Sequence, residues 1–295
     1  MIKRYEKWRE LSIEPSIIPF KFGKLNEILS YLPAGNDVLE CKFEVNNKII
    51  ELFLKIERSK VVDFETEVKH LNILKDKKNY KKIPIVIEDG YIENKKYIVL
   101  EKKDGNRLSE ILETKITEEE KSEYLIKYGK ELATIHKINQ NDFSDAKIRV
   151  INEIPTNEIY KIPEALLPYI KYLKENNFEK KPNSFIHGDF HYANILWKNK
   201  NIEAVLDFEY SGKGLKEQDI AWACILRPTQ KFMNKLDDIQ NFIKGYHSVN
   251  DFDFLKFKWC LINGYCHFYL MNQENEDYKT KLISLLKEII AIKNM

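Results

Sequence analysis

The sequence predicts an α+β chain built in two parts, a small antiparallel sheet with one helix followed by a larger, mostly helical part. Three observations point there. Residues 38–57 alternate apolar and polar side chains on either side of Asn46-Asn47, the pattern of a hairpin whose turn accepts positive φ. Residues 61–77 switch to the helical period, with Phe64, Val68, Leu71 and Leu74 on one stripe. Beyond the turn at Asp104-Gly105 the helical period dominates. The expected parts are residues 1–102 and 103–295.

Each element has a local cause. Strands are expected over 38–45, 49–57, 83–88 and 97–101. Within 51–57, Leu52, Leu54 and Ile56 share one face while Phe53 and Lys55 share the other, which places a cation at mid-strand. In the helix over 61–77, Glu67 falls between Leu71 and Leu74 on the apolar stripe, whereas Glu65 and Lys69 point to solvent. A carboxylate there needs a buried partner, and Lys55 is the natural one. Thr117 and Glu120 form a capping box that opens a helix to Lys137. The stripe of that helix, Leu125, Tyr128, Leu132, Ile135 and His136, makes His136 a packed core histidine. Further helices are expected over 158–176 and from Lys231 onward, broken near 248–251. Between them lie a short strand over 184–186 and a hairpin of 195–197 with 203–207 about Asn199-Lys200-Asn201.

Composition narrows the class. In 295 residues, 48 basic and 46 acidic side chains leave a formal net charge of +2, so the total indicates neither nucleic acid nor a membrane surface. Residues 1–10 are charged and lack the apolar core of a signal peptide, and no run reaches the roughly 18 apolar residues of a membrane helix. Cys41, Cys224, Cys260 and Cys266 show no C-x-x-C spacing, which suggests reduced thiols in the core. A cytoplasmic enzyme, monomer or homodimer, is the expectation.

The stretch opening at His187, HGDFHYANILWKNKNIEAVLDFE, sets Asp189 and Asn194 five positions apart and Asp207 thirteen further on. The hairpin between them is expected to return Asp207 to the loop it left, so that two carboxylates and an amide meet. Such a group suits phosphoryl transfer, where the protein mainly positions the acceptor and neutralises phosphate charge. Asp189 would orient the acceptor hydroxyl and take its proton. Asn194 and Asp207 would hold Mg²⁺, a hard ion that takes oxygen ligands. The Lys55–Glu67 pair would set an ammonium against the α- and β-phosphates. His187 and His191 flank Asp189 at i and i+4, but Gly188 and the turn disfavour a helix-face metal pair of the H-E-x-x-H type. His187 is better read as holding the loop in shape.

With these residues in place the chain resembles the aminoglycoside phosphotransferase and choline kinase superfamily, whose fold is similar to that of protein kinases. The family's H-x-D-x-x-x-x-N matches His187, Asp189 and Asn194; its metal-binding aspartate matches Asp207, its strand lysine Lys55 and its helix glutamate Glu67. YIVLEKKDG over 97–105 resembles the hinge between lobes, GKELATIH over 129–136 a further family segment, and GKGLKEQDIA over 212–221 the family's G-x-G-x-x-x-x-D-L-A, with Asp219 in support. The resemblance implies a bilobal kinase-like fold and an enzyme using ATP, or GTP in its place, with Mg²⁺. It also implies that the hinge backbone near Glu101 and Lys103 hydrogen-bonds the adenine.

The departures carry information too. Where kinases have a glycine-rich loop, residues 33–37 contain the single Gly35. Asp207-Phe208-Glu209 keeps the aspartate but not the final glycine of D-F-G, and eleven residues between Asp207 and Asp219 leave no room for an activation loop. A small hydroxylated acceptor is therefore expected, aminoglycoside-like and tied to antibiotic resistance, with Glu209 as its acidic contact. Choline, ethanolamine or homoserine is the alternative, with Trp259 as an aromatic contact for a quaternary ammonium. A reading of another class is a nucleotide-binding regulatory module without catalysis.

Overall fold

Alternation of apolar residues builds the first unit. Lys24–Leu32 (β1), Asp37–Val45 (β2) and Lys48–Ile56 (β3) run antiparallel in sequence. The β2–β3 turn is Asn46-Asn47 with φ of 50° and 60°, the left-handed geometry such hairpins need. Leu39, Cys41 and Phe43 of β2 and Leu52, Leu54 and Ile56 of β3 share one core with Ile13 and Ile18. Phe64–Asp76 (α1) follows, then Val86–Ile92 (β4) and Lys95–Glu101 (β5), joined through Glu93-Asn94 at φ of 48° and 61°. The sheet order is β1-β2-β3-β5-β4. Phe64, Glu67, Val68, Leu71 and Leu74 of α1 are buried.

The second unit is mainly helical. Asn106–Arg107 (β6) leads into Leu108–Glu113 (α2) and Glu118–His136 (α3), whose Thr117 and Glu120 form the expected capping box. Leu167–Glu175 (α4) and Ser184–Ile186 (β7) come next, then Ile195–Lys198 (β8) and Asn201–Val205 (β9), joined by Asn199-Lys200 at φ of 50° and 59°. Gly212–Gly214 (β10) pairs antiparallel with β7. A Cβ on Gly212 would meet the backbone of Ser144 and Ala146 at 2.6 Å, and its φ is 153°, so glycine is required there. Lys216–Cys224 (α5), Leu236–His247 (α6), Phe254–Met271 (α7) and Glu276–Ala291 (α8) complete the chain. Helix α7 is buried along most of its length from Phe257 to His267, as expected for a helix apolar on all sides.

The structure, a computed structural model, describes residues 7–58, 64–147 and 149–293. Residues 61–63 of the expected first helix and 1–6 of the charged N-terminus lie outside them. The chain divides into Met1–Gly105 with Glu203–Tyr210, and Asn106–Ile202 with Ser211–Met295. A single boundary at 102 would count Asp207 with the helical part; its segment instead belongs with the sheet. Strand β1 was not anticipated, and β4 starts three residues later than the 83–88 pattern suggests. Residues 158–163 are not helical, because Pro163 biases the residue before it away from the α region. Lys231–Lys235 is also non-helical, with Thr229 just before it at φ 66° and Met233 within it at φ 56°. A further break falls before α8, where the Asn275 side chain caps the Tyr278 N–H at 3.1 Å. Among the described residues no helix is long and apolar enough to cross a membrane, and all four cysteines are buried and unbridged.

Candidate active site

In the sheet unit, β3 and α1 bring their charged residues together as the periods require. Lys55 Nζ lies 2.6 Å from Glu67 Oε2, and Glu67 is fully buried. The same ammonium donates to Asp207 Oδ1 at 2.9 Å. Asp207 sits at φ 68°, a strained region for a non-glycine residue, tolerated best by Asp and Asn and common at functional positions. Glu209 completes a group in which carboxylate oxygens of Glu67, Asp207 and Glu209 lie within 4.8 Å of one another. Burial pushes the Lys55 ammonium toward losing its proton, but Asp207, Glu67 and Glu209 outweigh it and hold the lysine charged. Burial, with Asp207 nearby, raises the Glu67 carboxyl against the pull of Lys55. Among the described residues Lys55 thus meets a group of three carboxylates, whose hard oxygen ligands fit Mg²⁺.

Glu209, the expected acidic contact, is placed in the carboxylate group itself. It is buried, and the Asn36 amide donates to its Oε2 at 3.2 Å, because the two-residue step from Asp207 folds it back into the carboxylate group. Gly35 lies between β1 and β2, where an added Cβ would meet nothing within 4 Å. The carbonyls beside it are engaged: Arg9 Nη2 donates to Ala34 O at 2.9 Å, Gly35 O at 3.1 Å and Asn36 O at 2.8 Å. Asp37 anchors this brace by accepting from Arg9, Tyr31 and the Ser12 N–H. Sequence reasoning missed Arg9, which lies outside any regular element and carries no periodic signal. Glu101 spends its own N–H on Ile85 O at 2.8 Å, and its carboxylate holds Lys103 at 2.9 Å.

In the helical unit the loop after β7 is shaped by Asp219 of α5. Asp219 Oδ2 accepts the His187 N–H at 2.8 Å and Oδ1 accepts the Gly188 N–H at 3.1 Å. Gly188 stands at φ 78°, which is why a glycine occupies this position. His187 is fully buried and its Nδ1 accepts the Asp189 N–H at 3.1 Å. His136 is buried in the core as expected and bridges Asp219 Oδ2 (3.1 Å) and the Tyr246 hydroxyl (2.8 Å). Asn194 Nδ2 donates to Asp189 O at 3.0 Å and to Oδ2 at 3.2 Å, which leaves the amide oxygen to ligate a metal.

Two neighbours of Asp189 were not anticipated. Trp222 Nε1 donates to Asp189 Oδ1 at 2.9 Å, and Arg149 Nη2 lies 2.9 Å from the same oxygen. Trp222 follows Asp219 by one helical turn, so the i+3 relation could have exposed it; Arg149 sits between elements and offers no such signal. Burial alone would raise the Asp189 carboxyl, but the His191 hydrogen bond and the Arg149 guanidinium hold it down at about 2. Trp259 is almost wholly buried, with its indole N–H donated to Leu173 O at 2.9 Å. Lys180 Nζ stands 4.8 Å from the ring centroid, a cation already in the position a quaternary ammonium would take.

A sheet unit with a buried lysine–glutamate pair beside an aspartate, together with a helical unit carrying H-x-D-x-x-x-x-N, defines a kinase-like phosphotransferase. The sequence profile of the phosphotransferase enzyme family, APH, matches residues 29–257, and the chain belongs to that family. It is a small-molecule kinase. A Haemophilus somnus protein designated a fructosamine-3-kinase superposes with a TM-score of 0.50 at 19% identity over 88% of both chains. The choline kinase LicA of Streptococcus pneumoniae gives 0.52 at 15% identity over 85% of this chain and 89% of its own. LicA in complex with AMP gives 0.52 at 16% identity over 88% and 94%. At these identities the likeness is one of fold. No curated protein sequence matches the chain.

Proposed function

We propose that the chain transfers a phosphoryl group from ATP, carried with Mg²⁺, to a hydroxyl of a small metabolite. The observation that carries this reading is Lys55 bound at once to Glu67 and Asp207 within a group of three carboxylates. A buried ammonium so held is placed for nucleotide phosphates, and the cluster of carboxylate oxygens suits a divalent ion. In the sheet unit Asp207 and Glu209 are the residues to hold that ion; in the helical unit the Asn194 amide oxygen is the candidate ligand. When bound, Mg²⁺ neutralises charge on the phosphates. Asp189 orients the acceptor hydroxyl and receives its proton, while His187 and Asp219 keep the loop in shape. The fold shared with a protein solved in complex with AMP supports an adenine nucleotide.

A purely nucleotide-binding role leaves the Asp189 environment without a purpose, since Trp222, Asn194 and Arg149 all converge on that carboxylate. The aminoglycoside reading leaned on Glu209 and the choline reading on Trp259. Glu209 is taken up in the carboxylate group of the sheet unit, while Trp259 lines a cavity beside the catalytic loop whose charged and amide walls are Lys147, Arg149, Asn152, Gln218, Asp219 and Asn263, which supports a small, non-cationic metabolite. Magnesium-dependent ADP release over a panel of alcohols tests the activity. Asp189→Asn should lower acceptor phosphorylation about 10²–10⁴-fold while calorimetry finds ATP affinity within a few-fold of wild type. Loss of nucleotide binding with turnover retained would overturn the assignment.

A further inference from the structure

Within the helical unit a narrow cavity of about 40 Å³ lies against the catalytic loop, with Lys147, Arg149, Asn152, Gln218, Trp222 and Asn263 among its walls. Such a volume admits a small polar group. Between Ile151, Ile186 and Ile225 its polar walls are mainly basic and amidic. Its one acidic residue, Asp219, is already held by His136 and two backbone N–H groups. A cationic acceptor entering here would meet Lys147 and Arg149 with no opposing carboxylate left to receive it.

Two further observations point to a ligand. Asn263 is 1% exposed and donates its amide N–H groups to Ile151 O at 2.7 Å and Glu153 O at 3.1 Å. Its Oδ1 is buried and, among the described residues, receives no hydrogen bond, a costly state for a polar atom unless something supplies a donor. The second concerns Asp189. Oδ1 is met by Trp222 and Arg149, and Oδ2 by Asn194, which leaves Oδ2 a lone pair for an approaching hydroxyl. Trp222 is fixed in α5 and Asn194 by its second bond to Asp189 O. Arg149 is held as well: its Nε donates to Gly188 O at 3.1 Å and its guanidinium lies over the Trp222 ring at 4.5 Å, so a planar fork that suits a carboxylate is set in the cavity wall.

We propose that this cavity takes the carboxylate of the acceptor, so that the substrate is a small hydroxy acid, and that Arg149 receives that carboxylate while still paired with Asp189. Asn263 Oδ1 accepts from a second donor on acceptors that carry one, such as the further hydroxyl of glycerate. This rests on the phosphotransfer reading and adds to it the charge of the acceptor and the residue that selects it.

The test is magnesium-dependent ADP release with matched probes: D-glycerate against glycerol, 4-hydroxybutyrate against its amide, and glycerol 3-phosphate, choline and kanamycin alongside. The expected result is kcat/KM at least about tenfold higher for each acid than for its uncharged partner, the size of one good charge-assisted contact. Arg149→Gln should collapse that ratio toward one, chiefly through the KM of the acid, and Arg149→Lys should recover part of it. Preference for choline or kanamycin, for the uncharged partners, or for glycerol 3-phosphate over glycerate would overturn the inference while keeping phosphotransfer intact. If no probe is phosphorylated, the phosphotransfer reading fails, and binding decides this inference. A melting-temperature rise from 4-hydroxybutyrate but not its amide, present in wild type and lost in Arg149→Gln, supports it. Equal shifts, or none, overturn it. The melting temperatures of the unliganded variants report whether they fold.

Discussion

In the sheet unit one ammonium, Lys55, faces three carboxylates; in the helical unit one carboxylate, Asp189, is ringed by the donors Trp222, Asn194 and Arg149. The two groups are electrostatic opposites. Buried carboxylates are costly unless cations join them, and the first group presents its carboxylates to Lys55 and offers their oxygens to a divalent ion. The second surrounds its carboxylate with donors that favour the ionised form.

Removing the charge on the sheet side should have the largest effect. Asp207→Ala is expected to abolish magnesium-dependent nucleotide binding and turnover together, measured by calorimetry and initial rates over a magnesium titration. Unchanged activity across that titration would break the contrast between the units.

Next comes the buried pair. Lys55→Ala leaves Glu67 without its partner in the core, at a cost of about 3–5 kcal/mol, seen as a lower melting temperature along with lost ATP use. Lys55→Met with Glu67→Leu should restore stability but not activity. A double variant less stable than either single one would show that the two residues are not coupled.

Glu209→Gln sharpens the comparison. As a member of the carboxylate group it should raise the magnesium concentration for half-maximal rate by roughly threefold to tenfold, with the acceptor KM unmoved. A changed acceptor KM at constant magnesium requirement would return Glu209 to the acceptor.

The smallest effect concerns pH. The folded-state value of Asp189, held at about 2, lies below the unfolded value of about 3.9. A depressed carboxylate stabilises the fold above its unfolded value, and that contribution disappears as pH falls through the folded value. The melting-temperature difference between wild type and Asp189→Asn should therefore be constant near neutrality and shrink between about pH 4 and pH 2. A difference independent of pH would mean that the donors around Asp189 do not favour its charged form.

Much of this molecule is legible in its sequence because short-range rules decide it. The Asn-Asn and Asn-Lys turns accept positive φ and so set both hairpin registers. The helical period places Glu67 on an apolar stripe opposite Lys55, and burial then leaves the two charges no choice but each other. Thr117 and Glu120 cap a helix from within their own four residues, and the H-x-D-x-x-x-x-N spacing brings Asn194 to Asp189 through one turn.

What no period or motif contains is long-range. Arg9 reaches the β1–β2 loop from outside any element, across 25 positions or more. Arg149 meets Asp189 from 40 positions upstream, shown by their ion pair, and Glu209 turns inward because its neighbours leave it a polar niche beside Asn36. Local sequence determined where carboxylates, cations and turns occur along the chain, since backbone sterics and side-chain period act over a few residues. Tertiary structure decided which charges face which, since that depends on how whole strands and helices pack and on which polar groups would otherwise be buried without a partner.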